Sequence, residues 1–150
     1  MILATYMVTN IKIAIGSDHA GFELKQIIVE HLSSRNVDLI DCGTNNLDSV
    51  DYPDFAKRVA DEVSNKDLVM GILVCGSGQG MAMTANRYKD VRAAICHNSD
   101  VAKVTREHND ANILCLGSRF IEEAEALKCV DVFLSTDFEG ERHLKRINKI

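Results

Sequence analysis

Residues 68–80 read LVMGILVCGSGQG, an apolar run that passes directly into a loop with three alternating glycines. The run over residues 68–74 is rich in Leu, Val and Ile and too short to span a membrane, which is typical of a strand buried on both faces. Residues 81–86 then supply good helix formers without a helix breaker. The stretch therefore predicts a strand, a glycine loop and a helix in succession.

The glycine loop, residues 76–80, begins directly after Cys75. Glycine lets a ligand approach the backbone closely, and the free N–H groups at a helix N-terminus attract anionic oxygens. The same N–H groups favour the thiolate form of a cysteine. We interpret the loop as part of an active site. A tight turn beside a structural cysteine is the alternative for this motif taken alone.

The rest of the chain alternates between strand and helix patterns. Short apolar runs predict four more strands, at residues 11–16, 37–40, 92–95 and 112–116, and apolar residues at helical spacing separate them. Such alternation implies a parallel sheet with helices on both faces, joined by right-handed crossovers. The predicted fold class is α/β, a three-layer αβα sandwich around a five-stranded parallel sheet.

Three helix predictions concern individual residues. Asp51-Tyr52-Pro53 opens a helix with proline in its first turn. The tail predicts a last short helix that places Arg142 and Arg146 at i and i+4 on one face. The helix after the fifth strand is predicted to bury a face that comprises Phe120, Ala124, Leu127, Val130 and Leu134.

Length and composition indicate one globular domain. With 150 residues, 46% hydrophobic and 26% charged, we expect an N-terminal extension over residues 1–10 and a single domain with a C-terminal helical tail over residues 11–150. A net charge of -5 without a basic run argues against nucleic acid and membrane as partners. Five cysteines without a C-x-x-C motif, in a sequence without a recognisable secretory signal, predict free thiols and a cytoplasmic location.

Known phosphate-loop and thiol-enzyme motifs do not match. A P-loop needs Gly-Lys-Ser/Thr, and the dinucleotide fingerprint needs G-x-G-x-x-G after the first strand, whereas G-x-G-x-G follows the third strand here. A cysteine phosphatase needs an arginine six residues after its nucleophile, where this chain has Met81. The His and Cys residues are scattered without metal-ligand spacing, so we expect no metal.

Three further motifs indicate a function only when they are considered together with Cys75. Asp18-His19 and His108-Asn109-Asp110 each offer an imidazole, and the pair Arg142 and Arg146 offers guanidinium groups that match phosphate geometry. Taken singly they are also compatible with a polar turn, a helix C-terminus with Asn as the turn residue, and a solvated face. Together they favour a phosphorylated, polar substrate.

Six motifs occur in an order and spacing that resemble the RpiB/LacAB family of sugar-phosphate isomerases. The resemblance covers about residues 11–150, and the six motifs are far more specific together than any one loop. The motifs are Gly16-Ser17-Asp18-His19-Ala20-Gly21, Asp51-Tyr52-Pro53, Cys75-Gly76-Ser77-Gly78, His108-Asn109-Asp110, Gly117-Ser118-Arg119 and Gly140-Glu141-Arg142-His143.

This resemblance implies a Rossmann-like fold and a homodimer with shared active sites, with a tetramer as the alternative assembly. It implies an aldose–ketose isomerase of the non-oxidative pentose phosphate pathway that needs neither metal nor cofactor. The reaction would interconvert D-ribose 5-phosphate and D-ribulose 5-phosphate through a cis-enediolate.

The resemblance also implies roles for individual residues. Cys75 would be the base, Ser77 and the loop N–H groups would stabilise the enediolate, and His108, oriented by Asp51, would open the furanose ring. His19 and three arginines would hold the phosphate. The substrate-binding set is Asp18, His19, Tyr52, Gly76, Gly78, Gly80, Asn109, Arg119, Arg142 and Arg146.

Two features bear on the subtype and the alternatives. One branch of the family carries a glutamate base directly after the last loop glycine, where this chain has Met81, so the cysteine-dependent branch is favoured. One alternative is an isomerase of a six-carbon sugar phosphate, such as allose 6-phosphate or galactose 6-phosphate, which would use the same mechanism. A non-catalytic phosphate- or nucleotide-binding module would need neither Cys75 nor His108.

Overall fold

Strands and helices alternate along the chain, as the sequence predicts. A computed structural model describes residues 11–67 and 69–150, so the predicted extension over residues 1–10 lies outside the described residues, as does Leu68. The strands are β1 (Lys12–Ser17), β2 (Asp38–Asp41), β3 (Val69–Cys75), β4 (Ala93–Ile95) and β5 (Ile113–Gly117). The helices are α1 (Phe22–Ser33), α2 (Tyr52–Asn65), α3 (Gln79–Ala85), α4 (Ser99–Asn109), α5 (Glu123–Ser135) and α6 (Arg142–Ile147).

The five strands form one parallel sheet in the order β2-β1-β3-β5-β4. The central strand β3 is buried at all seven positions, which explains its continuous apolar run. Its last residues pair with the last residues of its neighbours, Val74 with Ser17 and Cys75 with Gly117. The carboxyl ends of the three central strands therefore lie at one edge, and the predicted five-stranded α/β sandwich is confirmed.

Helices cover both faces of the sheet. Side chains of α1, α4 and α5 build one core, which includes Ile28 and Phe133, and side chains of α2 and α3 build the other, which includes Val59 and Met81. Among the described residues, no helix has both the length and the apolar composition needed to cross a membrane.

Most of the residue-level helix predictions are confirmed. Pro53 lies in the first turn of α2, and the tail forms α6 with Arg142 as its first residue. The buried face predicted after β5 is partly wrong, because Phe120 is 69% exposed and Ala124 is also exposed. Phe120 belongs to a turn in which its N–H donates to the Gly117 carbonyl, and α5 begins only at Glu123. The residues that α5 buries are Ala126, Cys129, Val130 and Phe133.

A lysine lies in the core beneath the sheet. Lys25 of α1 is fully buried, and its Nζ lies 2.6 Å from Oδ1 of Asp41 at the end of β2. The same oxygen accepts the N–H of Gly43, so one carboxylate neutralises the ammonium and holds the following loop. A buried ammonium is costly without such a partner.

We expect Asp41→Asn to lower the free energy of unfolding by about 2–3 kcal/mol because it leaves the ammonium of Lys25 without a counter-charge. This is less than for a fully buried pair, since the Asp41 side chain is 38% exposed to screening water. Lys25→Met removes the charge that needs a partner and should cost about 1 kcal/mol or less. Urea unfolding of both variants measures the difference, and equal losses would contradict this account.

Candidate active site

Cys75 is held in a loop whose backbone polar groups turn towards its sulfur. The thiol is 5% exposed, and its Sγ accepts the N–H of Gly78 at 3.1 Å. Gly78 has φ 78°, a conformation that favours glycine, and it caps α3. The next N–H, that of Gln79, donates to Oγ of Ser77 at 3.3 Å. Two N–H groups at the start of the helix thus point at the two side chains predicted to be catalytic.

The other four cysteines lie where a thiolate is disfavoured. Burial is the main cause in every case and raises the pKa of Cys42 and Cys129 to about 11 and that of Cys96 to about 12. Burial also raises the pKa of Cys115, with the nearby Cys75 and Cys96 as smaller causes. The predicted free thiols are confirmed for all five cysteines.

Residues from three other loops surround the Cys75 loop. The N–H of Asp18 donates to the carbonyl of Val74 at 3.3 Å, and the Asp18 carboxylate accepts the N–H of Gly21 at 3.0 Å. The Tyr52 ring lies over Gly80, where a Cβ would come within 2.3 Å of Cε2. The Arg119 guanidinium lies over Gly76 in the same way, with Nη1 3.0 Å from the position of a Cβ.

His19 is fixed by the segment that leads into α2. Its Nδ1 accepts the N–H of Val50 at 3.1 Å, and Asp51 follows as the N-terminal residue before the helix. This bond leaves the ring proton on Nε2, which can donate to a substrate oxygen. His19 and Asp51 therefore belong to the same edge of the sheet as Cys75, which we call the carboxyl edge.

The second predicted imidazole lies at the opposite edge. His108 is in the last turn of α4, and the chain reverses at Asp110, which has φ 45°. The guanidinium of Arg92, just before β4, donates to the carbonyls of Asn109 and Asp110 at 3.1 and 3.0 Å. These contacts place His108 and Asn109 where β4 and β5 begin, at the amino edge. The left-handed turn residue is Asp110, so the interpretation of Asn109 as the turn residue is wrong.

The C-terminal tail completes a group of residues at the amino edge. The N–H of Glu139 donates to the carbonyl of Glu107 at 3.1 Å, which fixes the tail against the end of α4. The buried imidazole of His143 stacks on that of His108 with ring centroids 4.3 Å apart. We call His108, Asn109, Glu139, Arg142, His143 and Arg146 the amino-edge group.

The residues around Cys75 at the carboxyl edge do not meet the amino-edge group within one chain. Five residues of β5, from Ile113 to Gly117, separate the edges, which corresponds to about 13 Å along the strand. His108 precedes this strand, whereas Cys75 pairs with Gly117 at its end. Asp51 therefore does not contact His108 of the same chain, and the prediction that Asp51 orients His108 requires the two residues to come from different chains.

Sequence reasoning missed the close association of Glu139 with the two histidines. The ligand atoms of His108, Glu139 and His143 lie within 4.8 Å of one another, although more than 30 positions separate the first from the others. The i, i+4 spacing of Glu139 and His143 was the local signal available. Contact with His108 depends on how the tail folds back onto α4.

The fold and the site define a class: α/β proteins that carry a cysteine in a glycine loop at the carboxyl edge of a parallel sheet, with a histidine-rich group at the other edge. The chain belongs to the Ribose/Galactose Isomerase family, which matches residues 13–150. The resemblance seen in the sequence is thereby confirmed.

Individual relatives match over nearly their whole length. Ribose-5-phosphate isomerase B of Escherichia coli K12 is 42% identical over 139 residues, which are 93% of each chain. The structure of ribose-5-phosphate isomerase B from Clostridium thermocellum is 47% identical, with a TM-score of 0.91 over 93% of this chain and 94% of that one. The enzyme from Mycoplasma genitalium with bound ribulose-5-phosphate is 48% identical, with a TM-score of 0.90 over 93% of each chain.

Protonation of His143 should make the protein sensitive to acid. Burial lowers the pKa of this imidazole, helped by the neighbouring His108 and Arg142 and opposed by Glu139. Because the unfolded chain binds this proton more readily, stability is retained above the ordinary histidine pKa of about 6.5 and is lost as pH falls below it. His143→Gln should reduce this loss.

Urea unfolding at fixed protein concentration between pH 7.5 and 5 measures the effect. His97→Gln is the matched control, because His97 is exposed. An equal pH dependence in wild type and His143→Gln would contradict the prediction.

Proposed function

We propose that this protein is an isomerase that interconverts D-ribose 5-phosphate and D-ribulose 5-phosphate through a cis-enediolate. The observation that carries the proposal is the Cys75 thiol, held against backbone N–H groups in a glycine loop at the carboxyl edge. The bound sugar phosphate in the Mycoplasma relative and the name of the Escherichia coli relative support this substrate.

Cys75 acts as the base. Its thiolate takes the proton from C2 of the open-chain aldose to give the enediolate and returns it to C1, while the hydroxyl proton on O2 passes to O1, so that the carbonyl moves from C1 to C2. The N–H of Gly78 stabilises negative charge on the sulfur before the transfer. The general-base step contributes about 10²- to 10⁴-fold to the rate.

Negative charge builds on the substrate oxygens while the proton is on the sulfur. We assign its stabilisation to the Ser77 hydroxyl and to the N–H groups of the glycine loop, with that of Gly78 available once the sulfur is protonated. One well-placed donor of this kind is worth about 3–4 kcal/mol. Asp18, beside the loop, holds sugar hydroxyls, and Tyr52 covers the glycine end of the cleft.

The phosphate is bound by cations from both edges. His19 offers its Nε2–H, and Arg119 offers its guanidinium from above Gly76. Arg142 and Arg146 are exposed on α6 at the amino edge and reach the phosphate of a neighbouring subunit. Arginine suits this role because its planar fork binds phosphate in a bidentate manner.

The working unit is a homodimer in which each site takes residues from both chains. The separation of Cys75 and His108 at opposite edges supports this arrangement. Exposed apolar side chains also support it, because Met83, Val104, Phe120 and Leu144 all face solvent in the single chain. His108 of one subunit then opens the sugar ring beside Cys75 of its partner, with Asn109 at the reacting end. The domain over residues 11–150 supplies both halves.

Cys75→Ala should reduce the conversion of ribose 5-phosphate by at least about 10²-fold while the protein remains folded, because the base is lost. Ribulose 5-phosphate formation in the presence of EDTA measures this, with Cys42→Ala as the matched control. Full activity of Cys75→Ala would contradict the thiol mechanism. Faster turnover of allose 6-phosphate than of ribose 5-phosphate by the wild type would contradict the pentose assignment.

Mixing two inactive variants tests the shared site. Cys75→Ala and His108→Ala damage different halves, so a mixed dimer contains one site with both residues intact. Random mixing after co-expression should restore about a quarter of wild-type activity. If each site belonged to one chain, no mixture of the two variants would be active, and that outcome would refute the shared site.

A further inference from the structure

His143 forms a flat face against His108. The two imidazoles are 14° from parallel with centroids 4.3 Å apart, and His143 is 5% exposed, whereas His108 is half-buried. The N–H of His143 donates to the carbonyl of Gly140 at 3.0 Å, and this anchors it in the first turn of α6. His143 is therefore the fixed member of the stack, and the ring exposed to a substrate is that of His108.

Stacking, rather than metal binding, accounts for this geometry. The ligand atoms of His108, Glu139 and His143 lie within 4.8 Å of one another, a spacing that invites a metal. The nitrogen lone pairs of imidazole lie in the ring plane, however, and two nearly parallel planes direct them side by side. A metal would need both lone pairs to converge on one point about 2.1 Å from each nitrogen.

The surroundings favour the uncharged form of His143. Burial, His108 and the guanidinium groups of Arg142 and Arg146 all lower its pKa, and only the Glu139 carboxylate acts in the opposite direction. A neutral ring adds no positive charge beside His108. It can support that ring without competing with it for a proton.

We propose that His143 is a positioning residue for ring opening: its buried imidazole, stacked on His108, fixes the plane in which His108 exchanges protons with the sugar. The inference rests on the proposed function, in which His108 opens the ring. Proton transfer depends on the direction of the nitrogen, and misplacement by about 1 Å can cost 10²-fold in rate. The imidazole of His143, stacked on that of His108, directly restricts rotation of the His108 ring.

Two substitutions of His143 distinguish the effect of its flat aromatic face from the effect of side-chain volume alone. His143→Leu fills the space without an aromatic face, and His143→Phe keeps that face. We expect kcat for ribose 5-phosphate to fall about 10- to 100-fold in His143→Leu with little change in KM, and His143→Phe to restore most of it. His31→Leu is the matched control, since His31 lies on α1 and pairs with Asp131. If His143→Leu does not fold, His143→Gln replaces it with the same expected result.

NMR of the histidine rings tests the stack independently of activity. The ring protons of His108, assigned by comparison with His108→Gln, should be shifted upfield in wild type and in His143→Phe but not in His143→Leu. Unshifted signals in wild type would overturn the proposal, as would wild-type kcat in His143→Leu or a change confined to KM. A wild type that shows the shift but does not convert ribose 5-phosphate would refute the proposed function instead.

Discussion

The parallel register of β3 with β1 and β5 is the constraint on which the rest of the structure depends. It brings three strand ends to one edge, so that Asp18, Cys75 and the loop after Gly117 are neighbours although they are far apart in sequence. The same register forces every crossover helix to run back to the other edge. His108, in the last turn of such a helix, is therefore at the amino edge for the same reason that Cys75 is at the carboxyl edge.

Differences in burial give side chains of the same type different chemical properties. Burial disfavours the thiolate form of four cysteines, whereas the sulfur of Cys75 receives an N–H from its own loop. The two stacked histidines differ in burial in the same way, and burial lowers the pKa of the more deeply buried His143. In both cases the residue type is shared, and its position relative to the backbone and to water decides its chemistry.

The sequence predicted the fold because its signals were local. The apolar run before Cys75, the glycines after it and the proline at the start of α2 each act over a few residues, and all are confirmed. The error at Phe120 arose because the helical spacing was extended across a turn. The placement of His108 at the amino edge, away from Asp51 of the same chain, depends on the direction of α4. The stack on His143 depends on how the tail docks, which no local pattern encodes.

The raised pKa values of the buried cysteines also bear on how the molecule responds to oxidants. Peroxides attack thiolates, so sulfur kept as a neutral thiol inside the two cores resists them. In the proposed mechanism Cys75 reacts as a thiolate, so an oxidant that follows the path of the substrate meets this sulfur first. Oxidative damage would then fall on the glycine loop rather than on the packed cores, and the molecule would lose turnover before it loses its fold.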